Sequence, residues 1–173
     1  MNTIIDRAQK IYQNACAYSK ASYLLNAKAF VPPLQDMELG LPSMVNAALA
    51  LELYFKLLYY LEKGQDFKIK GRYSHDFFCL FEQLSYSTKQ EIESTFDERI
   101  KNRDMSDAEN LEKASSMRIP RDLKTNLSAW KDVFVNIRYI YDSKGKGIPM
   151  MFFPEIEQSL LVSIYRLKPE WRH

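Results

Sequence analysis

The chain has 173 residues, the usual size of one domain, and a formal net charge of +2, which is too small to indicate nucleic-acid binding by itself. Hydrophobic residues make up 46% and charged residues 27% of the sequence, which excludes a mainly disordered chain. There are five Gly, five Val and four Thr against nineteen Leu, and strands favour Val and Thr while tight hairpins need Gly. The composition therefore predicts a single all-α domain over residues 1–173.

The N-terminal part is predicted to form two long helices. The first fits Thr3 to Lys28 and stops at the Val31-Pro32-Pro33 step, because proline disfavours helical backbone before it. Ser43 is predicted to cap a second helix that ends at Lys63, with Gly64 as its C-terminal stop. This helix is apolar on nearly all sides, so we expect it to be central.

The most apolar run, Met44 to Leu61, is interpreted as a core helix rather than a membrane span. It contains Glu52 and Lys56, and a lysine in the hydrocarbon core costs about 2.5–3.5 kcal/mol. Charge also appears within the first six residues, which leaves no apolar region for a signal peptide. Cys16 and Cys79 lack metal-type spacing, so we expect reduced thiols in a cytoplasmic protein. The charged residues of the apolar run predict that the protein has no membrane partner.

Shorter helices are predicted over residues 74 to 115, where helix-capping residues precede apolar positions. Serine or threonine followed three residues later by glutamate can satisfy two backbone donors at a helix start. The predicted caps are Ser74, Thr88 with Glu91, and Ser106 with Glu109, the last before a short helix or an irregular segment.

A long helix is predicted for Arg121 to Asp142, because apolar residues recur there at alternating steps of four and three. We expect it to pack along the central helix. Pro154 then begins a last helix that Lys168-Pro169 ends. The expected core includes Leu53, Leu57, Phe81, Leu127, Trp130 and Phe134.

Familiar catalytic motifs are missing from the sequence, which has no GxxxxGK, GxGxxG, GxSxG or HExxH. His75 and His173 are the only histidines, so a histidine-rich metal site or a Ser-His-Asp triad lacks its residues. We therefore expect no metal and no cofactor.

Polar residues embedded in the apolar helices are the candidate site residues, and each group also has a structural interpretation. Glu52 and Lys56 suit an intrahelical ion pair, and an acid beside His75 suits a helix N-terminus. Arginine near a helix C-terminus is likewise favoured by the helix dipole. The candidates are Glu52, Lys56, His75, Asp76, Arg138, Tyr139, Tyr141, Asp142, Lys144 and Lys146.

Three blocks of sequence together resemble HEPN (higher eukaryotes and prokaryotes nucleotide-binding) domains. Residues 47–58, Ala-Ala-Leu-Ala-Leu-Glu-Leu-Tyr-Phe-Lys-Leu-Leu, are similar to the family's Ala-rich Glu-xxx-Lys helix. Residues 74–81, beginning Ser-His-Asp, resemble its His-Asp-Leu segment, and Arg138 to Asp142 resembles the Arg-Tyr-x-Tyr-acid end of a later helix. The blocks occur in family order.

The resemblance implies an up-and-down bundle of about five to six helices that is often dimeric. Active family members are metal-independent ribonucleases or partners of nucleotidyltransferases. Their motif is an arginine followed after four to six residues by histidine. Here Arg138 matches the arginine, but the histidine positions hold Ser143, Lys144 and Gly145. The histidine that usually transfers the proton is therefore missing at these three positions.

Three functional hypotheses remain open. In the first, an HEPN-like protein of a prokaryotic defence, toxin–antitoxin or stress system binds RNA or a nucleotide, with Arg138, Tyr139 and Lys144 or Lys146 holding phosphate or stacking on a base. In the second, the chain is an atypical ribonuclease or toxin that uses Arg138 with Tyr141, or His75. In the third, it is a helical scaffold for a protein partner.

A homodimer is expected, more from the resemblance than from the composition. The run Met150-Met151-Phe152-Phe153 is either a core plug or an interface patch.

Replacing Arg138 with lysine tests the first hypothesis. The planar guanidinium can hold a phosphate through two parallel hydrogen bonds, which an ammonium cannot reproduce. We expect Arg138→Lys to fold normally and to weaken RNA or nucleotide binding by about 1–3 kcal/mol in a titration. Equal binding by both proteins, or binding by neither, would favour the scaffold hypothesis.

Overall fold

A computed structural model describes residues 2–31, 36–68, 75–115, 118–131, 133 and 151–172, with side chains from residue 7 onward. Within these ranges there is no strand and the all-α class is confirmed. Seven α-helices are defined there. One of them, Ser106–Ser115, is the segment predicted to be either a short helix or irregular. They are α1 (Asn2–Phe30), α2 (Gly40–Lys63), α3 (Phe77–Glu82), α4 (Tyr86–Asn102), α5 (Ser106–Ser115), α6 (Leu123–Ala129) and α7 (Phe153–Leu167).

Helices α1 and α2 form an antiparallel pair that is the largest packing contact of the bundle. Ser22 meets Ser43 near the connecting turn, Cys16 meets Tyr54 midway, and Arg7 lies over the ring of Tyr60 at the far end. Helix α7 packs against both α2 and α4, and α3 covers α2. The result is a helical bundle.

Helix α2 is the central helix, as predicted. Leu51, Phe55, Leu57 and Leu58 are all fully buried, and Gly64 ends the helix in the left-handed conformation at φ 69°. The helical stretch Met37–Lys63 is long and apolar enough to cross a membrane. More than half of its apolar 18-residue segment is buried inside the bundle, however.

The start of α2 differs from the prediction. The helix begins at Gly40, directly after a 3-10 turn over Met37–Leu39, and Ser43 lies inside its first turns. The buried Ser43 hydroxyl donates to the backbone oxygen of Ser22 on α1 instead of capping the helix. Ser43 is therefore a packing contact between the two helices.

The starts of α3 and α4 are also displaced from the predicted caps. Asp76 caps α3 by accepting the backbone N–H of Cys79 at 2.9 Å, and Ser74 lies outside the described residues. Ser85 rather than Thr88 caps α4. A cap needs extended backbone, which both Asp76 (ψ 110°) and Ser85 (ψ 154°) have.

Glu62 on α2 fixes the position of Ser85. Its carboxylate accepts the backbone N–H of Ser85 at 2.8 Å and its hydroxyl at 2.7 Å. Partial burial acts to raise the pKa of Glu62, but hydrogen bonds from Thr88 and Ser85 outweigh it and hold that pKa below its usual range. The start of α4 is thus set by a residue more than twenty positions away.

The predicted continuous helix from Arg121 to Asp142 is wrong at Trp130. Asp122 caps α6 by accepting from the N–H of Thr125 at 2.8 Å, and the helix ends at Ala129. Trp130 is its C-cap, with φ −96° and ψ 5°, and a turn follows. Helix α6 contacts α3 and α4 rather than running along α2.

Four predicted core residues, Leu57, Phe81, Leu127 and Trp130, are buried, whereas Leu53 is only partly buried. Phe134 lies outside the described residues. Phe152 and Phe153 are buried as a core plug, with the Phe152 ring edge-on to Phe96 at 6.4 Å. The guanidinium groups of Arg103 and Arg121 lie 5.3 and 5.8 Å from the same ring.

Removing the Trp130 side chain should destabilise the bundle strongly. The residue is only 1% exposed, and replacing a buried tryptophan with alanine costs about 3–5 kcal/mol. We expect chemical denaturation of Trp130→Ala to show that loss, whereas Leu24→Ala, at a side chain 57% exposed, should change the unfolding free energy by about 0.5 kcal/mol or less. Similar midpoints for the two variants would contradict this packing.

Candidate functional site

A buried carboxylate on α2 joins three of the predicted site residues. Glu52 is only 6% exposed. One of its oxygens, Oε1, accepts from Lys56 Nζ at 2.5 Å, and the other, Oε2, lies 2.9 Å from His75 Nδ1. Because an ionised carboxylate only accepts hydrogen bonds, Nδ1 is then the protonated ring nitrogen. We call Glu52, Lys56 and His75 the carboxylate cluster.

The carboxylate cluster is built by two independent local features. Glu52 and Lys56 are four residues apart on α2, which places them on one face of the helix. His75 comes from the turn before α3, where Asp76 caps the helix and Phe77 stacks on Phe55 with ring centroids 6.3 Å apart. Cap and stack together hold His75 against α2.

The surface over Glu52 is formed by its two partners. The side chain of Lys56 is 21% exposed and that of His75 is 63% exposed, whereas the carboxylate beneath them is nearly inaccessible. Lys56 also lines a small cavity of about 150 Å³ with Arg7, Leu53 and Phe67. A ligand approaching here meets the nitrogen groups first.

Asp76 and Cys79 have structural roles in the turn that carries His75. The Asp76 carboxylate serves as the cap of α3. Burial raises the pKa of the Cys79 thiol, and the charge of Asp76 raises it further. Cys79 is therefore held as a thiol and is unsuited to act as a thiolate nucleophile. Cys16 and Cys79 are both free cysteines, as the sequence predicts.

The remaining predicted site residues are not placed by the structure. Arg138, Tyr139, Tyr141, Asp142, Lys144 and Lys146 lie outside the described residues. The carboxylate cluster thus contains three of the ten candidates, with Asp76 adjoining it.

A second buried acid, Glu157 on α7, was not singled out from the sequence. It is 2% exposed and accepts the Tyr23 hydroxyl at 2.8 Å. Burial, followed by the charge of Glu157, raises the pKa of Tyr23. The tyrosine is thereby kept as a donor to the buried carboxylate. The sequence did offer a signal for this buried acid. Glu157 directly follows Ile156, which belongs to the apolar face of the last predicted helix.

A groove of about 640 Å³ between α4 and α7, with charged residues in its lining, was also missed. It contains Arg99 and Arg103, which are four residues apart on the sequence. That spacing equals the spacing of Glu52 and Lys56. The stretch from Asp97 to Lys124 holds equal numbers of acids and bases, however, and net charge alone indicated an ordinary solvated surface.

Within the ranges that the structure describes, no group of three or more His, Cys, Asp or Glu side chains could hold a metal ion. Searches against protein-family models, curated proteins and solved structures found no match to this chain.

A double-mutant cycle should measure the coupling inside the carboxylate cluster. Hydrogen bonds to charged, largely buried groups contribute about 1.5–3 kcal/mol, so Glu52→Gln and Lys56→Met should be non-additive in unfolding free energy by that amount. The control pair Glu82 and Lys89, 3.1 Å apart and more exposed, should show a coupling of about 0.2–1 kcal/mol. Equal coupling energies in the two pairs would contradict the conclusion that burial of Glu52 strengthens its bond to Lys56.

Proposed function

We propose that this chain is an HEPN-like helical protein that binds the phosphate groups of RNA or of a nucleotide beside the carboxylate cluster. The observation that carries the proposal is the convergence of the predicted pair Glu52 and Lys56 with His75, which the sequence had singled out as a separate candidate. Two of the three resembling blocks thereby meet at one place. The all-α bundle agrees with the fold that the resemblance implies.

The charge around the carboxylate cluster also supports phosphate binding. The sequence from Lys68 to Arg72 reads Lys-Ile-Lys-Gly-Arg and lies between Phe67 and His75 in the chain. Phe67 lines the same cavity as Lys56, and His75 bonds the same carboxylate as Lys56. The two described residues that flank this basic segment, Phe67 and His75, therefore both lie beside Lys56, and positive charge in the sequence between them favours a polyanion.

The buried glutamate does not cancel this attraction for a ligand. Its carboxylate lies beneath Lys56 and His75, whose side chains are the more exposed, so the two nitrogen groups stand between it and a ligand. Glu52 instead fixes the position of the lysine before a ligand arrives, which lowers the entropy lost on binding.

Binding titrations with labelled single-stranded RNA and a nucleotide panel test the proposal. Lys56→Gln and His75→Gln should each weaken binding about 10- to 100-fold, the scale of a charge-assisted hydrogen bond. For RNA, Lys56→Gln should also reduce the slope of log K against log salt by about 0.7, the value for one phosphate contact on a single strand. The matched control Lys89→Gln, on α4, should change neither quantity.

The proposal fails if wild type binds no RNA and no nucleotide, or if Lys56→Gln and His75→Gln bind as wild type does. Loss of binding in Arg138→Lys alone would place the phosphate site away from the carboxylate cluster.

A metal-independent ribonuclease is the second candidate, and the Glu52–His75 pair favours it. In hydrolytic triads a buried carboxylate orients an imidazole through Nδ1, and Nε2 acts on the substrate. Here Nδ1 faces Glu52 and the His75 side chain is 63% exposed. His75→Gln should then slow RNA cleavage about 10²- to 10⁴-fold, the usual contribution of a general acid or base. Binding without any cleavage by wild type would leave the binding function alone.

A further inference from the structure

Exposed apolar side chains concentrate near the C-terminal end of α1. Eight large hydrophobic residues are exposed among the residues that the structure describes, and six of them lie between positions 18 and 37. Beyond Tyr18, they belong to the end of α1 or to the 3-10 turn that packs on it: Tyr23, Leu24, Phe30, Val31 and Met37. Single exposed apolar residues are ordinary on a protein surface, but a contiguous group marks a place where a partner binds.

Helical spacing puts most of these side chains on one face of α1. Tyr23, Ala27 and Phe30 follow each other at steps of four and three residues, and Leu24 and Val31 are seven residues apart. The N–H of Val31 still donates to the oxygen of Ala27 at 3.0 Å, so Val31 keeps the helical register. We call these five residues the outer face of α1. The opposite side of the helix packs against α2.

A cavity of about 390 Å³ adjoins the outer face of α1. Five residues of its lining are aromatic or methionine: Tyr23, Phe30, Met44, Met151 and Phe153. Aromatic and methionine side chains are enriched where proteins bind each other. An apolar helix face beside a cavity suits an amphipathic helix, because one of its large side chains can enter the cavity. This concave shape favours a helix over a flat lipid surface.

Phe30 is held in position before any partner arrives. Its side chain is 48% exposed, but its ring packs directly on the backbone of Gly40, where an added methyl group would come within 3.1 Å of Phe30 Cζ. An aromatic side chain that is already fixed loses little conformational entropy on binding. Phe30 is therefore suited to be an anchor for a partner.

The charges along the outer face of α1 are basic. Residues 7–35 include four basic residues and no acid. Lys20 and Lys28 lie four residues before and four residues after Leu24, which places both on its side of the helix. Both lysines are exposed, and neither side chain forms an ion pair within the described part of the chain. An acidic partner would complement them.

A second copy of this chain complements the outer face less well. Leu24 is the most exposed large hydrophobic residue of α1. An antiparallel copy centred on Leu24 would set Lys20 against Lys28 of the second copy, and a parallel copy would set each lysine against its own counterpart. Like charges facing each other oppose association. The first acids after these lysines, Asp36 and Glu38, lie past the end of α1, and Asp36 is already the cap of the 3-10 turn.

We infer that the outer face of α1 docks an acidic amphipathic helix from a partner protein. The apolar side of that helix covers Leu24, one of its large side chains enters the cavity beside Phe30, and its acidic residues lie against Lys20 and Lys28. None of these residues belongs to the carboxylate cluster, so the inference does not depend on the function proposed there.

Selection from a displayed library of helical peptides tests the inference. The peptides are three heptads long, with leucine fixed at the first and fourth positions and Glu, Lys or Gln allowed at the flanking positions. Wild type should enrich peptides with Glu at those positions. Leu24→Gln should weaken the best peptide about 10-fold or more in an anisotropy titration, the scale of one interface anchor. The matched control Val162→Gln, at an exposed apolar residue of α7, should bind as wild type does.

A charge swap tests the acidic character of the partner. The double variant Lys20→Glu with Lys28→Glu should bind the acidic peptide about 10-fold more weakly and should prefer the same peptide with Lys in place of Glu. The matched double variant Lys101→Glu with Lys113→Glu has the same net charge, at exposed lysines of α4 and α5, and should keep the wild-type preference.

Four results would overturn the inference. They are enrichment of basic or uncharged peptides, unchanged peptide binding by Leu24→Gln, binding to phosphatidylserine vesicles without binding to any peptide, and a wild-type dimer in sedimentation that Leu24→Gln dissociates. The third result would make the outer face a lipid surface, and the fourth would make a second copy its occupant. Circular dichroism of each variant verifies that lost binding does not come from lost folding.

Discussion

Helix α2 is buried on nearly every side, and this constrains the rest of the bundle. Each buried polar side chain on α2 needs a hydrogen-bonding partner from within the bundle. An isolated ionised carboxylate in a protein interior costs several kcal/mol unless it is paired. Glu52 meets this requirement with Lys56 from its own helix and with His75 from the turn before α3. The turn before α3 must therefore reach α2. The Asp76 cap and the Phe55–Phe77 stack hold it there, so the same contacts complete the core and assemble the candidate site.

Sequence reasoning succeeded where a feature depends on local backbone chemistry. Gly64 ends α2 because a left-handed residue favours glycine, and Lys168 ends α7 just before a proline. Helix starts were less predictable, because several Ser or Thr residues near one boundary are chemically equivalent as caps. The choice of Ser85 over Thr88 depends on Glu62, which lies on another helix. Tertiary contacts of this kind leave no signal within a short window of sequence.

The same limit explains what was found and missed at the candidate sites. The pairing of Glu52 with Lys56 follows from helical spacing, but its extension to His75 joins residues 23 positions apart in different elements. Apolar periodicity continued through Trp130 although the helix ends there, because periodicity records which side chains are buried and not whether the backbone turns. Arg99 and Arg103 were hidden in a segment of balanced charge, since a charge count cannot show which arginine already has an acidic partner.

The carboxylate cluster and the groove between α4 and α7 are built from different helices. Met44 on α2 lines one cavity with Arg103 and Pro154, which also line the groove between α4 and α7. Glu52 lies eight residues further along α2, a rise of about 12 Å. Glu52 therefore lies about two helical turns along α2 from Met44, and His75 reaches it from the turn before α3. Helix α7 packs against both α2 and α4, so it is the element that the central helix and the groove have in common.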